Sequence, residues 1–399
     1  MSPTAPVQAD VHDLSRRTDE LRRALEGVIG VPATEGNRVE VLRNGNEIFP
    51  AMLEGIRGAE RTIDLLTFVY WKGEIGERFA EALAERARAH VRVRVLLDGW
   101  GAHAIDRSSV AMMQNAGVQI RWFRPLARFR LHKANHRTHR KVLIVDEAVG
   151  FTGGVGIADE WNGDARDAHE WRDTHFRVRG PAVDGLRSAF LDNWLETDDV
   201  LLDPSVDRFP QQPQDGSTVV QSVRGASETG WSDISTLFLL LFQLAEERIR
   251  ITTAYFVPDT QLDDRICAAA ERGVEVQILL PGPHIDKRFV QLAGESSFER
   301  LLDCGVQIWL FQPSMLHSKI MTVDGVLANI GSANLNARST ELDEEINLVA
   351  LDAEVVRVLD AQFDEDLQRR EAVVAGRWED RSLPRHLVER AAGLFRHEL

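Results

Sequence analysis

Lysine is scarce in this chain of 399 residues. Of its 47 basic residues only Lys72, Lys133, Lys141, Lys287 and Lys319 are lysines, and arginine supplies the rest. Positive charge is itself in deficit. The 62 acidic residues leave a formal net charge of −15, which excludes bulk electrostatic attraction to nucleic acid. Cys267 and Cys304 are the only cysteines. They are too few for a disulfide framework and their spacing matches no metal site, so a reducing, cytoplasmic compartment is expected. Long apolar runs are also missing. The longest, LFLLLF at 237–242, is too short to span a bilayer and reads as part of a buried helix. The polar, acidic N-terminus holds no signal-peptide core, so contact with a membrane is expected to be peripheral.

What is present is a doubled unit. Residues 108–123, SSVAMMQNAGVQIRWF, match residues 296–311, SSFERLLDCGVQIWLF, at a constant offset of 188. Upstream, EIGERFAEALAERARAHVRVRVLLDG (74–99) resembles TQLDDRICAAAERGVEVQILLPG (260–282). Each reads as an amphipathic helix followed by an apolar strand. Before these, RTIDLLTFVYW and RIRITTAYFVP are matching strands. Strands alternating with helices predict an α/β fold of two homologous domains, each a sheet covered by helices, related by a pseudo-twofold axis. The first spans 39–202 and the second 219–399, joined by a Pro- and Gln-rich linker at 203–218. Residues 1–38 have no counterpart and are expected to add a helix near 12–30. The segment 383–399 is amphipathic, with Leu387, Ala391, Leu394 and Phe395 near one face, and is expected to pack on the core.

Two of the five lysines stand at one spacing from a histidine. THRKVLIVD carries His139, Lys141 and Asp146, and HSKIMTVD carries His317, Lys319 and Asp324. On a strand, residues two apart share a face, so each His and Lys point the same way. The aspartates have the opposite parity and fall where the chain must turn. These two strands are offset by 178, not 188, so the first half holds ten extra residues before His139. That insert is basic: no acidic residue lies between Arg107 and Val145. Its Arg128, Arg130 and Arg137 are candidates for binding an anionic substrate.

A pseudo-twofold would bring the two histidines face to face with the lysines beside them, a pocket suited to a tetrahedral phosphate. One imidazole can attack phosphorus, and the other can protonate the leaving alkoxide and then deprotonate the incoming hydroxyl. The lysines would stabilise charge on the non-bridging oxygens. No metal or cofactor is required; the nearest metal candidate, Asp167, His169 and Glu170, reads as a solvated loop. A carboxylate on the far ring nitrogen would orient each histidine. Asp173 in EWRDTHFRV and Glu345 in LDEEINLV offer one per half.

The two His-x-Lys-x4-Asp motifs, each followed six residues on by Gly-Gly or Gly-Ser, resemble the phospholipase D superfamily. The wider text from about residue 40 to about 370, including RSTELDEEINL and HRKVLIVDEAVGFTGG, is similar to bacterial cardiolipin synthases. The resemblance implies metal-free phosphatidyl transfer through a phosphohistidine on an anionic, phosphatidylglycerol-like phospholipid. It carries over to His139, Lys141, Asp146 and Asp173, and to His317, Lys319, Asp324, Ser332, Asn334 and Glu345. His139 is expected to be the nucleophile and His317 the general acid. Gly156 stands where the family places asparagine, so Asn162 or the basic insert is expected to supply the missing contact. Phospholipid hydrolysis is the first rival reading, followed by a nuclease and a non-catalytic lipid-binding relative; the acidic charge argues against the nuclease.

Overall fold

The computed structural model describes residues 11–125, 135–197, 207, 209–225 and 232–375. The first half contains strands β1 (Thr34–Arg43), β2 (Thr62–Thr67), β3 (Arg92–Asp98), β4 (Gln119–Phe123), β5 (Val142–Val145), β6 (Val149–Gly153) and β7 (Thr174–Arg179). Its helices are α1 (Val11–Ile29), α2 (Asn44–Arg57), α3 (Glu74–Arg88), α4 (Arg107–Asn115) and α5 (Val183–Glu196). The second half contains β8 (Thr218–Arg224), β9 (Arg248–Thr253), β10 (Phe256–Val257), β11 (Glu275–Pro281), β12 (Gln307–Phe311), β13 (Lys319–Val323), β14 (Leu327–Gly331), β15 (Leu335–Asn336), β16 (Ile346–Leu351) and β17 (Arg370–Ala372). Its helices are α6 (Asp233–Leu244), α7 (Thr260–Glu271), α8 (Arg288–Glu295), α9 (Phe298–Asp303) and α10 (Ala353–Asp366).

Fifteen strands form one sheet in the order β17-β12-β11-β9-β13-β14-β16-β8-β1-β7-β6-β5-β2-β3-β4, and β10 pairs with β15 apart from it. Outward from the centre, the second half runs 8-16-14-13-9-11-12 and the first half 1-7-6-5-2-3-4. The halves therefore lay down equivalent strands in the same order, and the topological twofold lies at the antiparallel contact of β1 with β8. That contact is short, pairing Thr34 with Val220 and Asn37 with Thr218 across a bulge. The Asn37 amide donates to Thr34 O at 2.7 Å and Thr218 O at 3.1 Å, and its oxygen accepts from Ala182 N–H at 2.7 Å. The first half's sheet begins at Thr34, five residues before the expected domain boundary.

Each half has its own core, and a third is shared. On α3, Ile75, Phe79, Ala80 and Leu83 face the first core, a helical stripe. The apolar run at 237–242 lies in α6, where Leu237, Phe238, Leu241 and Phe242 are buried in the second core. Each such side chain contributes roughly 1.5–3 kcal/mol. Under α5 and α10, Leu66, Ile144 and Phe190 of the first half meet Ala328, Ile346 and Leu359 of the second. The expected N-terminal helix is α1. Its Leu21, Leu25 and Ile29 enter the second half's core, and Arg17 pairs with Asp324 at 2.7 Å, so it packs on the fold.

The cysteines depart from expectation. Cys267 of α7 and Cys304, just past α9, are joined in a disulfide with Cα atoms 5.3 Å apart. Packing of α7 beside α9 brings together residues 37 apart in sequence, which spacing alone could not signal. The cysteines therefore give no support to a reducing compartment. No helix of the described residues is long and apolar enough to cross a membrane. The segment 383–399 lies outside the described residues.

Candidate active site

The chain just ahead of each His-Lys strand is laced to the chain ahead of the other half's carboxylate strand. Thr138 bridges to Glu344, and Arg172 bridges to Leu316. His139 N–H donates to Glu344 O at 2.9 Å, and Glu344 N–H donates to Arg137 O at 2.8 Å. In the mirrored place His317 N–H donates to Arg172 O at 2.7 Å, and Arg172 N–H donates to Met315 O at 2.8 Å. The carboxylates are thereby exchanged between the halves. His139 Nδ1 meets Glu345 Oε1 at 2.9 Å, and His317 Nδ1 meets Asp173 Oδ2 at 3.0 Å. An ionised carboxylate only accepts, so it places the Nδ1 proton between them and leaves Nε2 for chemistry.

Glycine makes this approach possible at two equivalent positions. Gly153 ends β6 with φ +149° and Gly331 ends β14 with φ +157°. A Cβ on Gly153 would lie 2.8 Å from Thr174 O, and one on Gly331 would lie 2.3 Å from Ile346 O. These carbonyls follow the two carboxylates in sequence, so any side chain here would push the carboxylate strands away.

The carboxylates are held differently. Glu345 accepts from Ser332 Oγ at 2.5 Å and Ser339 Oγ at 2.7 Å. Asp173 accepts from Trp161 Nε1 at 2.8 Å and Thr174 N–H at 2.8 Å. Burial pushes the Glu345 carboxyl up, against the pull of Lys141 and the two serine hydroxyls. Burial acts on Asp173 too, but the hydrogen bond and charge of His317, with Lys319 and Trp161, hold it below the usual value. Burial and Lys141 press His139 well below its ordinary value, and burial and Lys319 bring His317 to about 3 despite Asp173. Burial also lowers Lys141 to about 8 and Lys319 to about 7. Lys141 Nζ donates to His139 O at 2.6 Å and stands 5.5 Å over the Phe68 ring. Lys319 Nζ lies 3.0 Å from His317 Nδ1 and 3.2 Å from Nε2. An anion entering here would favour the charged form of all four groups.

A cavity of about 390 Å³ opens on this site, lined by Phe68, His139, Tyr255, Lys287, Asn334 and Arg338 among others. His317 sits behind, enclosed by the rings of Trp161, Trp171 and Tyr255. The buried Asn334 Oδ1 has no hydrogen-bond partner. Arg338 Nε pairs with Asp343 Oδ2 at 3.0 Å, and burial raises Asp343 to about 7.

Several expected site residues stand elsewhere. Asp146 and Asp324 occupy turns with φ 52° and 50°, at the far ends of β5 and β13. Asp146 accepts from Glu60, Arg61 and Thr62 N–H groups, and Asp324 from Glu246, Glu247 and Arg248 N–H groups. They tie down turns, as their parity indicated, and the role carried over from the family motif is corrected to a structural one. Ser332 is fully buried on Glu345, so it orients the carboxylate rather than a substrate. Arg137 lines the cavity, but its guanidinium is bonded to Asp98 at 3.0–3.1 Å and to the carbonyls of Phe123 and Arg124. Its charge is already partnered. Arg128 and Arg130 lie outside the described residues. Gly156 has no room for asparagine: a Cβ would meet Val69 Cβ at 2.6 Å and the Trp161 ring at 3.2 Å. Asn162 is exposed and is no substitute; Trp161 fills the place instead and bonds Asp173. Glu170 of the metal-candidate loop is bonded to Arg166. Sequence reasoning missed Lys287 and Arg338, which also line the cavity. The scarcity of lysine was the one available signal for Lys287.

A family model described as "Cardiolipin synthase, PLD-like domain" matches residues 52–164 and 239–367. Cardiolipin synthase 1 of Bacillus anthracis is 32% identical over 384 residues, 94% of this chain and 75% of that protein. Cardiolipin synthase 2 of the same organism is 34% identical over 351 residues, 87% of this chain and 68% of that protein. Among solved structures, the phosphatidylserine synthase of Haemophilus influenzae Rd KW20 matches with a TM-score of 0.71 at 17% identity, over 95% of this chain and 100% of that one. Polyphosphate kinase from Porphyromonas gingivalis matches with a TM-score of 0.58 at 12% identity, over 94% of this chain and 52% of that one. Both share the fold. Two histidines held by exchanged carboxylates in a doubled α/β sheet, with these relatives, place the chain in the cardiolipin synthase family of phospholipase D-type phosphatidyltransferases.

Proposed function

We propose that the chain moves a phosphatidyl group from one phosphatidylglycerol-like lipid to the hydroxyl of another, forming cardiolipin. The observation that carries this reading is the exchange of carboxylates, which holds both Nδ1 atoms and leaves two Nε2 atoms for one phosphate. His139 lines the cavity and is the nucleophile. Its Nε2 attacks phosphorus, the bond to the leaving glycerol oxygen breaks, and His317 gives that oxygen its proton. His317 then takes the proton of the acceptor hydroxyl, whose oxygen attacks phosphorus and releases His139. The depressed Asp173 suits the partner of a histidine that must carry a proton, since it favours the imidazolium. Lys141, Lys319 and the Asn334 amide face the non-bridging oxygens. The second phosphate of an acceptor lipid falls to Lys287 and Arg338.

Mass spectrometry of lipids after incubating the protein with phosphatidylglycerol tests this. Cardiolipin with released glycerol is expected. Phosphatidic acid alone would mean that water is the acceptor, and unchanged lipid would leave an inert binder. Phosphorus trapped at low pH on His317 in place of His139 would reverse the two roles.

A further inference from the structure

The residue ahead of each exchanged carboxylate also reaches into the opposite half, and the two differ in sign. Arg172 precedes Asp173, and Glu344 precedes Glu345. Glu344 accepts from Asn193 Nδ2 on α5 and pairs with Arg124 at 3.3 Å. Arg172 meets α10, which follows β16 as α5 follows β7. Its Nε pairs with Asp366 Oδ2 at 2.8 Å, and its Nη2 donates to Gln362 Oε1 at 3.1 Å. These two acceptors stand four residues apart on one face of α10. Nη1 turns back and donates to Asp173 O at 2.6 Å and Thr174 Oγ1 at 2.9 Å. The Arg172 and Asp366 side chains are each 2% exposed, and a guanidinium is stable at such burial only with its N–H groups placed.

The main chain of the same residue holds His317. Arg172 N–H donates to Met315 O, and Arg172 O accepts from His317 N–H. One residue therefore fixes both partners of the Asp173–His317 hydrogen bond. Asn44, at the start of α2, closes the arrangement. Its N–H donates to Asp173 O at 3.0 Å, and its Oδ1 accepts from Asp173 N–H at 3.3 Å. It does so at φ 55°, a left-handed conformation in which asparagine is enriched. Asp366 is fixed in turn, since its Oδ1 pairs at 3.2 Å with Arg43, the neighbour of Asn44. The path Arg43–Asp366–Arg172–Asp173–Asn44 thus returns to its start after crossing to the second half and back.

We propose that Arg172 and Asp366 are positioning residues for the reaction: from α10 they set the place of Asp173, and through it the orientation of His317. Neither residue lines the cavity, so neither touches the phosphate. Their effect comes through alignment, where a displacement of about 1 Å can cost on the order of a hundredfold in rate. This inference rests on the reading of His317 as the group that carries the proton.

The test uses the full chain with isotope-labelled histidine. Nuclear magnetic resonance reads the Nδ1 protons of His139 and His317, beside turnover of phosphatidylglycerol. His139→Ala and His317→Ala assign the two signals. Arg172→Met and Asp366→Asn are each expected to shift or broaden the His317 signal and to leave the His139 signal in place. Turnover is expected to fall on the order of a hundredfold with KM close to native, because the lining of the cavity is untouched. Gln362→Leu removes one hydrogen bond and keeps the ion pair. It is expected to move the His317 signal in the same sense by less, and it serves if the other two variants do not fold. An unmoved His317 signal in the variants that fold overturns the proposal. So does equal disturbance of both histidine signals, which would make Arg172 and Asp366 a general fastening between the halves. A native chain that shows both signals but leaves phosphatidylglycerol unchanged overturns the functional reading and leaves the positioning in place.

Discussion

Replacing Asp173 by asparagine removes one charge from the site with almost no change of shape. Asp173 Oδ2 accepts from both His317 Nδ1 at 3.0 Å and Trp161 Nε1 at 2.8 Å, while Oδ1 accepts from Thr174 N–H. An amide has one oxygen. It satisfies more donors by keeping that oxygen at the Oδ2 place and turning its NH2 toward Thr174, at a cost of about 1–3 kcal/mol. His317 keeps its tautomer but loses the anion that supports its protonated form. At 3.0 Å and an effective dielectric constant of about 20, that attraction amounts to about 5 kcal/mol. Each ~1.4 kcal/mol is a factor of ten in rate, so the step in which His317 donates a proton is expected to slow by roughly four decades. A p-nitrophenyl phosphodiester needs no such proton for its leaving group. With that donor, Asp173→Asn is expected to retain a rapid burst of p-nitrophenol in quench flow, then slow sharply because His317, without the anion that supports its protonated form, is a much weaker base for the acceptor hydroxyl. Glu345→Gln, which strips the support from His139 instead, is expected to lose the burst as well. Loss of the burst in Asp173→Asn, or its survival in Glu345→Gln, would refute the assignment of roles across the two halves.

Three further outcomes follow from the packing. Burial holds Lys319 at about 7 against an ordinary 10.5; between those values the unfolded chain binds a proton that the folded chain does not, so stability rises with pH through that window. Lys319→Met is therefore expected to be inactive yet more stable than the native chain at pH 7, on the order of 4 kcal/mol, with the advantage fading toward pH ~10.5 in thermal melts; a pH-independent difference would contradict this. Gly156→Asn introduces a side chain that meets Val69 and Trp161, so it is expected to lower stability by about 2 kcal/mol or more in urea titration and to slow turnover; an unchanged midpoint would mean the space exists. Reducing Cys267–Cys304 frees a loop of 37 residues and is expected to cost roughly 3–4 kcal/mol, read as a fall in Tm with dithiothreitol that a Cys267→Ser variant no longer shows.

The doubled fold was legible because its signals are local. The match at an offset of 188 and the motifs at 178 span no more than one helix and the strand after it, or one strand and its flanks, and their periodicity survives without knowledge of what packs on what. Parity alone placed Asp146 and Asp324 in turns. The partnerships were not legible. Nothing near Arg137 announces Asp98, which lies 39 residues away on another strand and takes the charge that seemed free for substrate. Lys287 caps the start of α8 and Arg338 opens a π-helical turn of five residues, positions that no period marks, and only the folded cavity joins them.

The exchange of carboxylates lies beyond sequence for the same reason, and it draws on both halves. Each half carries a histidine, a lysine and a carboxylate, so a single half could in principle orient its own imidazole. The sheet prevents it. His139 precedes β5 and Asp173 precedes β7, with β6 between them, so the carboxylate within reach of each histidine is the one presented across the junction of the halves. The bridges Thr138–Glu344 and Arg172–Leu316 then do two things at once: they close the interface and they set the hydrogen bond that fixes each tautomer. A loosened interface would thus release both imidazoles before either half unfolds. Because Asp173 and Glu345 differ in their partners, the exchange also hands the two otherwise equivalent histidines different electrostatic surroundings.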